Sequence, residues 1–221
     1  MNIEQARFNM IEQQIRPWDV LDPSVLSLLS IVKREDFVPT AHRALAFVDT
    51  EVPLPHGRFM LTPKVEARLV QELAVHKHER VLVLGANSSY MLALLGHKAQ
   101  QVTVLESDAD ILALAKTALS QAGSTNVVLR EVRAADMSTG LAEQAPFDAV
   151  LLAGSAPSVP KALLNQIKAT SGRLLAIVGQ EPVMQAMLYS RNTQGSVHGT
   201  ALFDTVAARL PGFDEPSRFQ F

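Results

Sequence analysis

Short apolar runs alternate with longer stretches of helical periodicity along the middle of the chain. The runs, each of the kind that forms a strand buried on both faces, lie at residues 81–84, 102–105, 127–129, 147–152 and 173–178. Between them, apolar residues recur with the spacing of one helical face, which indicates amphipathic helices. Five strands that alternate with helices predict an α/β fold with a doubly wound, mostly parallel sheet.

Before the first run, the pattern predicts helices and one long loop. Residues 2–15 place apolar side chains on one helical face, and further helices are expected to begin at Pro23 and Pro63, because proline is favoured in the first helical turn. Residues 40–59 show no steady period and are expected to form a loop. We therefore predict that residues 1–75 are a helical N-terminal extension and a lid over the site.

After the fifth run the period changes again. Residues 183–189 and 200–207 resemble strands, and the turn-rich segment 192–199 separates them without room for a helix. This pattern predicts an antiparallel C-terminal hairpin at the edge of the sheet, which brings the expected total to seven strands. In such a sheet, ligands bind outside the carboxyl ends of the parallel strands.

Composition and charge exclude several classes of protein. The net charge is −2 and Lys or Arg never exceed two in succession, so neither a nucleic acid nor a membrane is expected as a partner. The chain has no cysteine, which excludes disulfides and thiolate ligands. No apolar segment approaches the length of a membrane span and residues 1–20 are too charged for a signal peptide, so we expect a cytoplasmic protein.

The turn after the first apolar run carries the candidate chemistry. Residues 85–89 (GANSS) form a polar turn between a predicted strand and a predicted helix, and Glu106 ends the next predicted strand. An acid about 21 residues after the first glycine of such a turn can accept hydrogen bonds from a ribose diol. The unit predicts a nucleotide-like cofactor, although an ordinary strand-to-helix turn would have the same pattern.

The order of segments along residues 5–210 resembles the protein-L-isoaspartate O-methyltransferase family. The segments that carry the resemblance are residues 33–39 (KREDFVP), 52–57 (VPLPHG), 85–90 (GANSSY), 145–148 (APFD) and 173–179 (RLLAIVG). The resemblance implies that residues 76–221 form a Rossmann-like domain that binds S-adenosylmethionine. It also implies transfer of a methyl group to a carboxylate of a protein, a peptide or a small molecule.

The same resemblance implies which residues contact the cofactor. The turn would cradle the methionine end, Glu106 would hold the ribose hydroxyls, and Asp136 would contact the adenine amine. The implied cofactor-binding residues are Gly85, Asn87, Ser88, Tyr90, Glu106 and Asp136. No metal site is expected, since His76 and His78 lie in a polar link where surface residues are common.

Two segments depart from the family pattern. The family turn resembles GTGSGY, whereas this chain has Asn87 and Ser89 in place of two glycines. The family also has a stretch like TISQP ahead of the helix that begins at Pro63, and Leu61 stands here at the serine position. Thr62 is then the one hydroxyl left as a catalytic candidate, and it is also expected to be the N-cap of that helix.

These departures leave alternatives open. A non-catalytic homologue that keeps the fold and acts as a binding or scaffold protein is the main one. A nicotinamide-dependent dehydrogenase ranks below it, because the chain has neither a full GxGxxG motif nor a second catalytic domain.

Overall fold

The computed structural model describes residues 2–213 and contains nine strands and seven α-helices in that part of the chain. The strands are β1 (Val52–Pro53), β2 (Phe59–Met60), β3 (Arg80–Leu84), β4 (Gln101–Glu106), β5 (Val127–Glu131), β6 (Ala149–Ala156), β7 (Arg173–Gln180), β8 (Val183–Arg191) and β9 (Val197–Asp204). The helices are α1 (Ile3–Met10), α2 (Pro23–Ile31), α3 (Pro63–Leu73), α4 (Ser89–Lys98), α5 (Ala109–Gln121), α6 (Ala134–Met137) and α7 (Lys161–Leu164).

Seven of the strands form one sheet in the order β5-β4-β3-β6-β7-β8-β9. The first five are mutually parallel, whereas β8 and β9 run antiparallel to their neighbours. This arrangement confirms the predicted doubly wound sheet and its C-terminal hairpin. The chain winds from β3 through β4 to β5 on one side and then places β6 on the other side of β3. The switch point where such folds bind ligands therefore lies at the carboxyl ends of β3 and β6, next to that of β4.

The sheet separates two apolar clusters, and β3 shows how. Val81 and Val83 pack into one cluster, whereas Leu82 and Leu84 pack into the other, because successive side chains of a strand point to opposite faces. The first cluster also takes the buried side chains of the N-terminal helices, such as Leu29 of α2. The segment 2–75 therefore shares a core with one face of the sheet. Its description as a separate extension and lid stays a prediction.

Side-chain caps set the beginnings of several helices. Asp22 accepts hydrogen bonds from the backbone N–H groups of Ser24 and Val25 at the start of α2, as its position before Pro23 predicts. Asp108 caps α5 in the same way. The cap at Asp108 thus begins α5 directly after the carboxyl end of β4.

The segment 40–59 is more ordered than the predicted loop. It contains short helical turns at Thr40–Leu45 and Pro55–Gly57, and β1 and β2 pair as a small antiparallel ladder with Val52 opposite Met60. The ladder folds the segment back on itself. The turn between its two strands therefore projects as one compact loop.

Strand β6 is longer than predicted. The prediction that it stops at residue 152 is wrong, since it continues to Ala156. Ser155 pairs both with Ile177 of β7 and with Arg209, which lies far along the chain. These two partners keep the backbone of residues 153–155 (Ala-Gly-Ser) extended, although the composition of this segment suggests a turn.

The part of the chain that the structure describes contains no helix with the length and apolar character needed to cross a membrane.

Candidate active site at the carboxyl ends of β3 and β4

Glu106, at the tip of β4, is completely buried and fully hydrogen-bonded. Its Oε2 accepts from the backbone N–H of Ala86 at 2.8 Å, and its Oε1 accepts from those of Ser107 at 2.8 Å and Asp108 at 3.0 Å. The guanidinium of Arg58 donates from 3.1 Å. A carboxylate offers about four acceptor positions, so these four donors use all of them. Glu106, the acid predicted to hold a ribose, therefore lies at the expected strand end, and its carboxylate is covered by Arg58 and three backbone N–H groups.

The turn after β3 is built around a glycine conformation. Gly85 has φ +98°, outside the range that other residues adopt readily, and its N–H donates to the carbonyl of Leu105 at 2.8 Å. This bond joins the turn to β4 and directs the next N–H, that of Ala86, onto Glu106. A methyl group at Gly85 would lie 2.7 Å from Cδ2 of Leu210, which comes from the C-terminal segment.

Gly85→Ala is therefore expected to destabilise the fold by about 1–3 kcal/mol, through backbone strain and the contact with Leu210. Urea unfolding followed by circular dichroism measures this difference. Gly123→Ala, which also has a positive φ but has nothing within 4 Å of its Cβ position, separates strain from crowding. Equal losses for the two variants would show that Leu210 contributes nothing.

Two of the predicted cofactor residues direct their side chains toward the N-terminal helices. The hydroxyl of Ser88 donates to Glu66 of α3 and accepts from the N–H of Met91, so that it caps α4. The buried ring of Tyr90 lies 5.6 Å from that of Phe37, centroid to centroid. A ligand at the strand ends would meet the backbone of these residues rather than their side chains.

A buried ion pair lies beneath this turn. Arg34 donates from Nε to Glu66 at 2.9 Å, and both side chains are completely buried. Its remaining nitrogens donate to the carbonyls of Ala46 and Leu61, each at 2.8 Å. Burial raises the pKa of the Glu66 carboxyl, and Arg34 and Ser88 oppose that shift. Arg34 thus ties the segment that precedes α3 to the turn of the candidate site.

Asn87, by contrast, has an unused acceptor. Its Oδ1 is buried and, within residues 2–213, has no hydrogen-bond partner. The same is true of the hydroxyl of Ser155 on β6 and of Nε of Arg58. Buried polar atoms without partners cost about 1–3 kcal/mol each, so each of these three needs an explanation, and a bound ligand that supplies the missing hydrogen bonds is one.

Thr62 occupies the N-cap position of α3, but its hydroxyl does not cap the helix. The predicted capping hydrogen bond is wrong, because only the backbone carbonyl of Thr62 accepts, from the N–H of Glu66 at 3.0 Å. The Thr62 hydroxyl is buried and has no partner in the described part of the chain. Other atoms of Thr62 line a cavity of about 400 Å³, together with Leu61, Glu51 and Glu181. Burial, followed by the charge of Glu181, raises the pKa of Glu51.

Asp136 lies at the surface on α6. Its carboxylate pairs with Nε of Arg133 at 2.7 Å, and that ion pair lowers the pKa of Asp136. The side chain is 41% exposed, so its position neither supports nor opposes the predicted adenine contact.

Sequence reasoning missed Arg58 and the role of its neighbour His56. His56 contacts Asp108 from Nδ1 at 2.7 Å and Asp110 from Nε2 at 3.3 Å, and these two acids begin α5 directly after Glu106. The only available signal was the composition of residues 52–58, whose basic side chains follow a proline-rich turn. Nothing local in the sequence connects them with an acid about fifty residues away.

The chain is similar to proteins of one family over nearly its whole length. The family model for protein-L-isoaspartate(D-aspartate) O-methyltransferase matches residues 5–207. A protein-L-isoaspartate O-methyltransferase of Koribacter versatilis is 36% identical over 198 residues, which cover 90% of this chain and 87% of that protein. A second relative with this name, from Marinobacter nauticus, is 34% identical over 205 residues, or 93% and 92% of the two chains.

Solved structures agree on the fold. A Plasmodium falciparum protein described as a protein-L-isoaspartate O-methyltransferase, in complex with S-adenosyl-L-homocysteine, superimposes with a TM-score of 0.76 at 17% identity. The match covers 95% of this chain and 98% of that one. Another structure described as a protein-L-isoaspartate O-methyltransferase gives a TM-score of 0.74 at 19% identity and covers 92% of this chain and 66% of the other. From the matched family model and the relatives of 34% and 36% identity, the chain belongs to the protein-L-isoaspartate(D-aspartate) O-methyltransferase family.

Proposed function

We propose that this protein is an S-adenosylmethionine-dependent O-methyltransferase that methylates isoaspartyl carboxylates in proteins or peptides. Its family and the names of its relatives support this function. The observation that carries it is the hydrogen bond between the N–H of Ala86 and Glu106, which joins the turn after β3 to the acid at the tip of β4. Those two elements are what a methionine carboxylate and a ribose require.

The hydrogen-bonding groups at the strand ends fit such a cofactor, although side chains of this protein occupy part of the site. Gly85, Asn87 and Glu106 would hold it, with the backbone of Ser88 and Tyr90 at the start of α4 facing its carboxylate and Asp136 at the adenine. The unpartnered oxygen of Asn87 would gain a donor from the bound ligand. Leu210 lies against Gly85 and leaves no room for a further atom on that side of the glycine. When bound, the cofactor supplies an electrophilic methyl group on its sulfonium.

The protein's own contribution is alignment in a site without water. A carboxylate is ionised at neutral pH and needs no general base, so catalysis depends on holding it in line with the methyl group. Thr62 has a buried hydroxyl with no partner in residues 2–213 and borders the neighbouring cavity. In the proposed complex this hydroxyl donates to the substrate carboxylate and takes the place of the family serine that Leu61 replaces.

The test is methyl transfer from labelled cofactor to a pair of peptides that differ only in isoaspartyl against aspartyl linkage. We expect label in the isoaspartyl peptide alone. Thr62→Val, which keeps the shape of the side chain, is expected to lower kcat/KM about tenfold and to leave the affinity for S-adenosylhomocysteine unchanged. Equal labelling of the two peptides, or no labelling, would contradict the proposed substrate. Unchanged kcat/KM in the Thr62 variant would remove Thr62 from the site.

A non-catalytic homologue remains the second candidate, and two contacts favour it. Arg58 occupies an acceptor position of Glu106, and Leu210 fills the space above Gly85. A protein that has lost its cofactor would tolerate both. Under this alternative, S-adenosylhomocysteine does not bind at any concentration tested, whereas under the proposed function it does.

A further inference from the structure

Arg58 lies where a ribose would have to bind. Its guanidinium donates to Oε2 of Glu106 at 3.1 Å and lies 3.4 Å from Oε1, while backbone N–H groups take the other acceptor positions of the carboxylate. A ribose diol brings two donors of its own. The three backbone donors belong to the turn after β3 and to the start of α5, so they cannot leave without unfolding the site. Arg58 is the donor that can leave.

The loop that carries Arg58 is held down by a second contact. His56, two residues earlier, lies between the carboxylates of Asp108 and Asp110 and reaches one with each ring nitrogen. His56 has φ +57°, in the left-handed region that few residues other than glycine adopt, although histidine, asparagine and aspartate do so more often than the rest. The backbone of the loop is also closed by a hydrogen bond from the N–H of Leu54 to the carbonyl of Arg58 at 2.8 Å.

In the closed position one hydrogen-bond donor of Arg58 is left unsatisfied by residues 2–213. The residue is only 9% exposed, and its Nε–H is buried without a partner in the part of the chain that the structure describes. A buried N–H that finds no acceptor opposes the gain from the ion pair. The unpartnered Nε–H therefore offsets part of the stabilisation that the ion pair with Glu106 gives to the closed loop.

We propose that Arg58 is an internal competitor for the ribose position on Glu106, and that His56 controls how firmly the loop of residues 54–58 holds it there. This inference rests on the proposed function, because it assumes that Glu106 receives the cofactor ribose. Arg58 then sets the affinity for the cofactor without contacting the reacting atoms. Its removal tightens binding, which is the opposite of what removal of a cofactor-binding residue does.

The contact through His56 makes the competition sensitive to pH. The hydrogen bond and charge of Asp108 raise the pKa of His56, and Asp110 adds to the effect, whereas the charge of Arg58 opposes it. The protonated imidazole favours the closed loop, so this contribution is complete below the ordinary histidine pKa of about 6.5 and is lost as pH rises through the raised value. The charged groups that face the imidazole are the carboxylates of Asp108 and Asp110 and the guanidinium of Arg58. Cofactor affinity should therefore increase from about pH 6 to pH 8.

The experiment is calorimetric titration with S-adenosylhomocysteine of the wild type, Arg58→Met and His56→Gln. Arg58→Met is expected to bind at least about fivefold more tightly than the wild type at pH 7. His56→Gln is expected to bind more tightly at pH 6 and to lose the dependence on pH. Arg16→Met removes an exposed ion pair with Glu12 in the helical turns that follow α1 and serves as the control, with unchanged affinity. The inference would be overturned if the two single variants, Arg58→Met and His56→Gln, each bound S-adenosylhomocysteine no more tightly than the wild type.

Hydrogen exchange of the loop in the absence of ligand shows which of two claims has failed: that the loop holds Arg58 on Glu106, or that the protein binds the cofactor. Amides of residues 54–60 should exchange faster in Arg58→Met and in His56→Gln than in the wild type, and at the wild-type rate in Arg16→Met. If no variant binds S-adenosylhomocysteine but the loop exchanges faster, the loop contact is real and the proposed function is wrong. Unchanged exchange in both loop variants would overturn the contact itself. His56→Gln alters an exposed side chain, so the comparison survives even if Arg58→Met fails to fold.

Discussion

Arg34→Met is expected to lower the free energy of unfolding by about 3–5 kcal/mol. The arginine is completely buried and all its polar contacts lie inside the protein, with Glu66 and with the carbonyls of Ala46 and Leu61. Its removal leaves the Glu66 carboxylate buried with Ser88 as its remaining partner. Because burial already raises the pKa of Glu66, the variant is expected to protonate this carboxyl at neutral pH.

Urea unfolding at neutral pH measures the loss, with Arg16→Met as an exposed ion-pair control that should change stability by less than about 1 kcal/mol. The double variant Arg34→Met, Glu66→Leu is expected to recover part of the lost stability, since it removes the stranded charge. A single variant within about 1 kcal/mol of the wild type would show that the buried pair contributes little.

Glu106→Gln is expected to weaken binding of S-adenosylhomocysteine at least tenfold, which corresponds to about 1.4 kcal/mol. The substitution removes the charge that two ribose hydroxyls would share. It also turns an amide NH₂ toward backbone N–H groups, of which Ala86, Ser107 and Asp108 each supply one. Two donors then face each other in a buried site, so the turn itself loses support.

Calorimetry on this variant needs a control of the same charge at the same edge of the sheet. Glu131 ends β5 directly opposite Glu106 in the parallel register and is exposed, so Glu131→Gln should bind like the wild type. Affinity that is unchanged in Glu106→Gln would refute its role at the ribose. A loss equal in the two variants would indicate a general effect of charge rather than a specific contact.

The sheet follows closely from the sequence, because its signals are local. The apolar runs of the parallel strands mark segments buried on both faces, and their alternation with helices determines a parallel order. The helix starts at Asp22 and Asp108 are equally local, since a cap acts over three residues. The hairpin of β8 and β9 also follows from the strand pattern on both sides of a turn.

The site is less predictable because its contacts join distant segments. Arg58 and Glu106 are 48 residues apart, and Ser88 and Glu66 are 22 apart. The sequence places Ser88 in the polar turn after β3, but only the packed structure shows that its hydroxyl caps α4 and donates to Glu66 of α3. Leu210 reaches Gly85 from the far end of the chain, and no motif in either segment indicates that contact.

Resemblance to the family helps with the backbone of the site and less with its side chains. It implies that the turn at Gly85 and Glu106 contact one ligand, and the structure joins that turn to Glu106 through the N–H of Ala86. It does not indicate that the Thr62 hydroxyl is free of its capping role, nor that a basic loop covers Glu106. Both features depend on which elements pack over the strand ends in this particular chain.

Titration of the purified wild-type protein with S-adenosylhomocysteine by calorimetry is the first experiment to perform. We expect one site with a dissociation constant of roughly micromolar order, tighter at pH 8 than at pH 6. The absence of binding at about millimolar ligand would contradict the cofactor site and leave the non-catalytic homologue as the description of this protein.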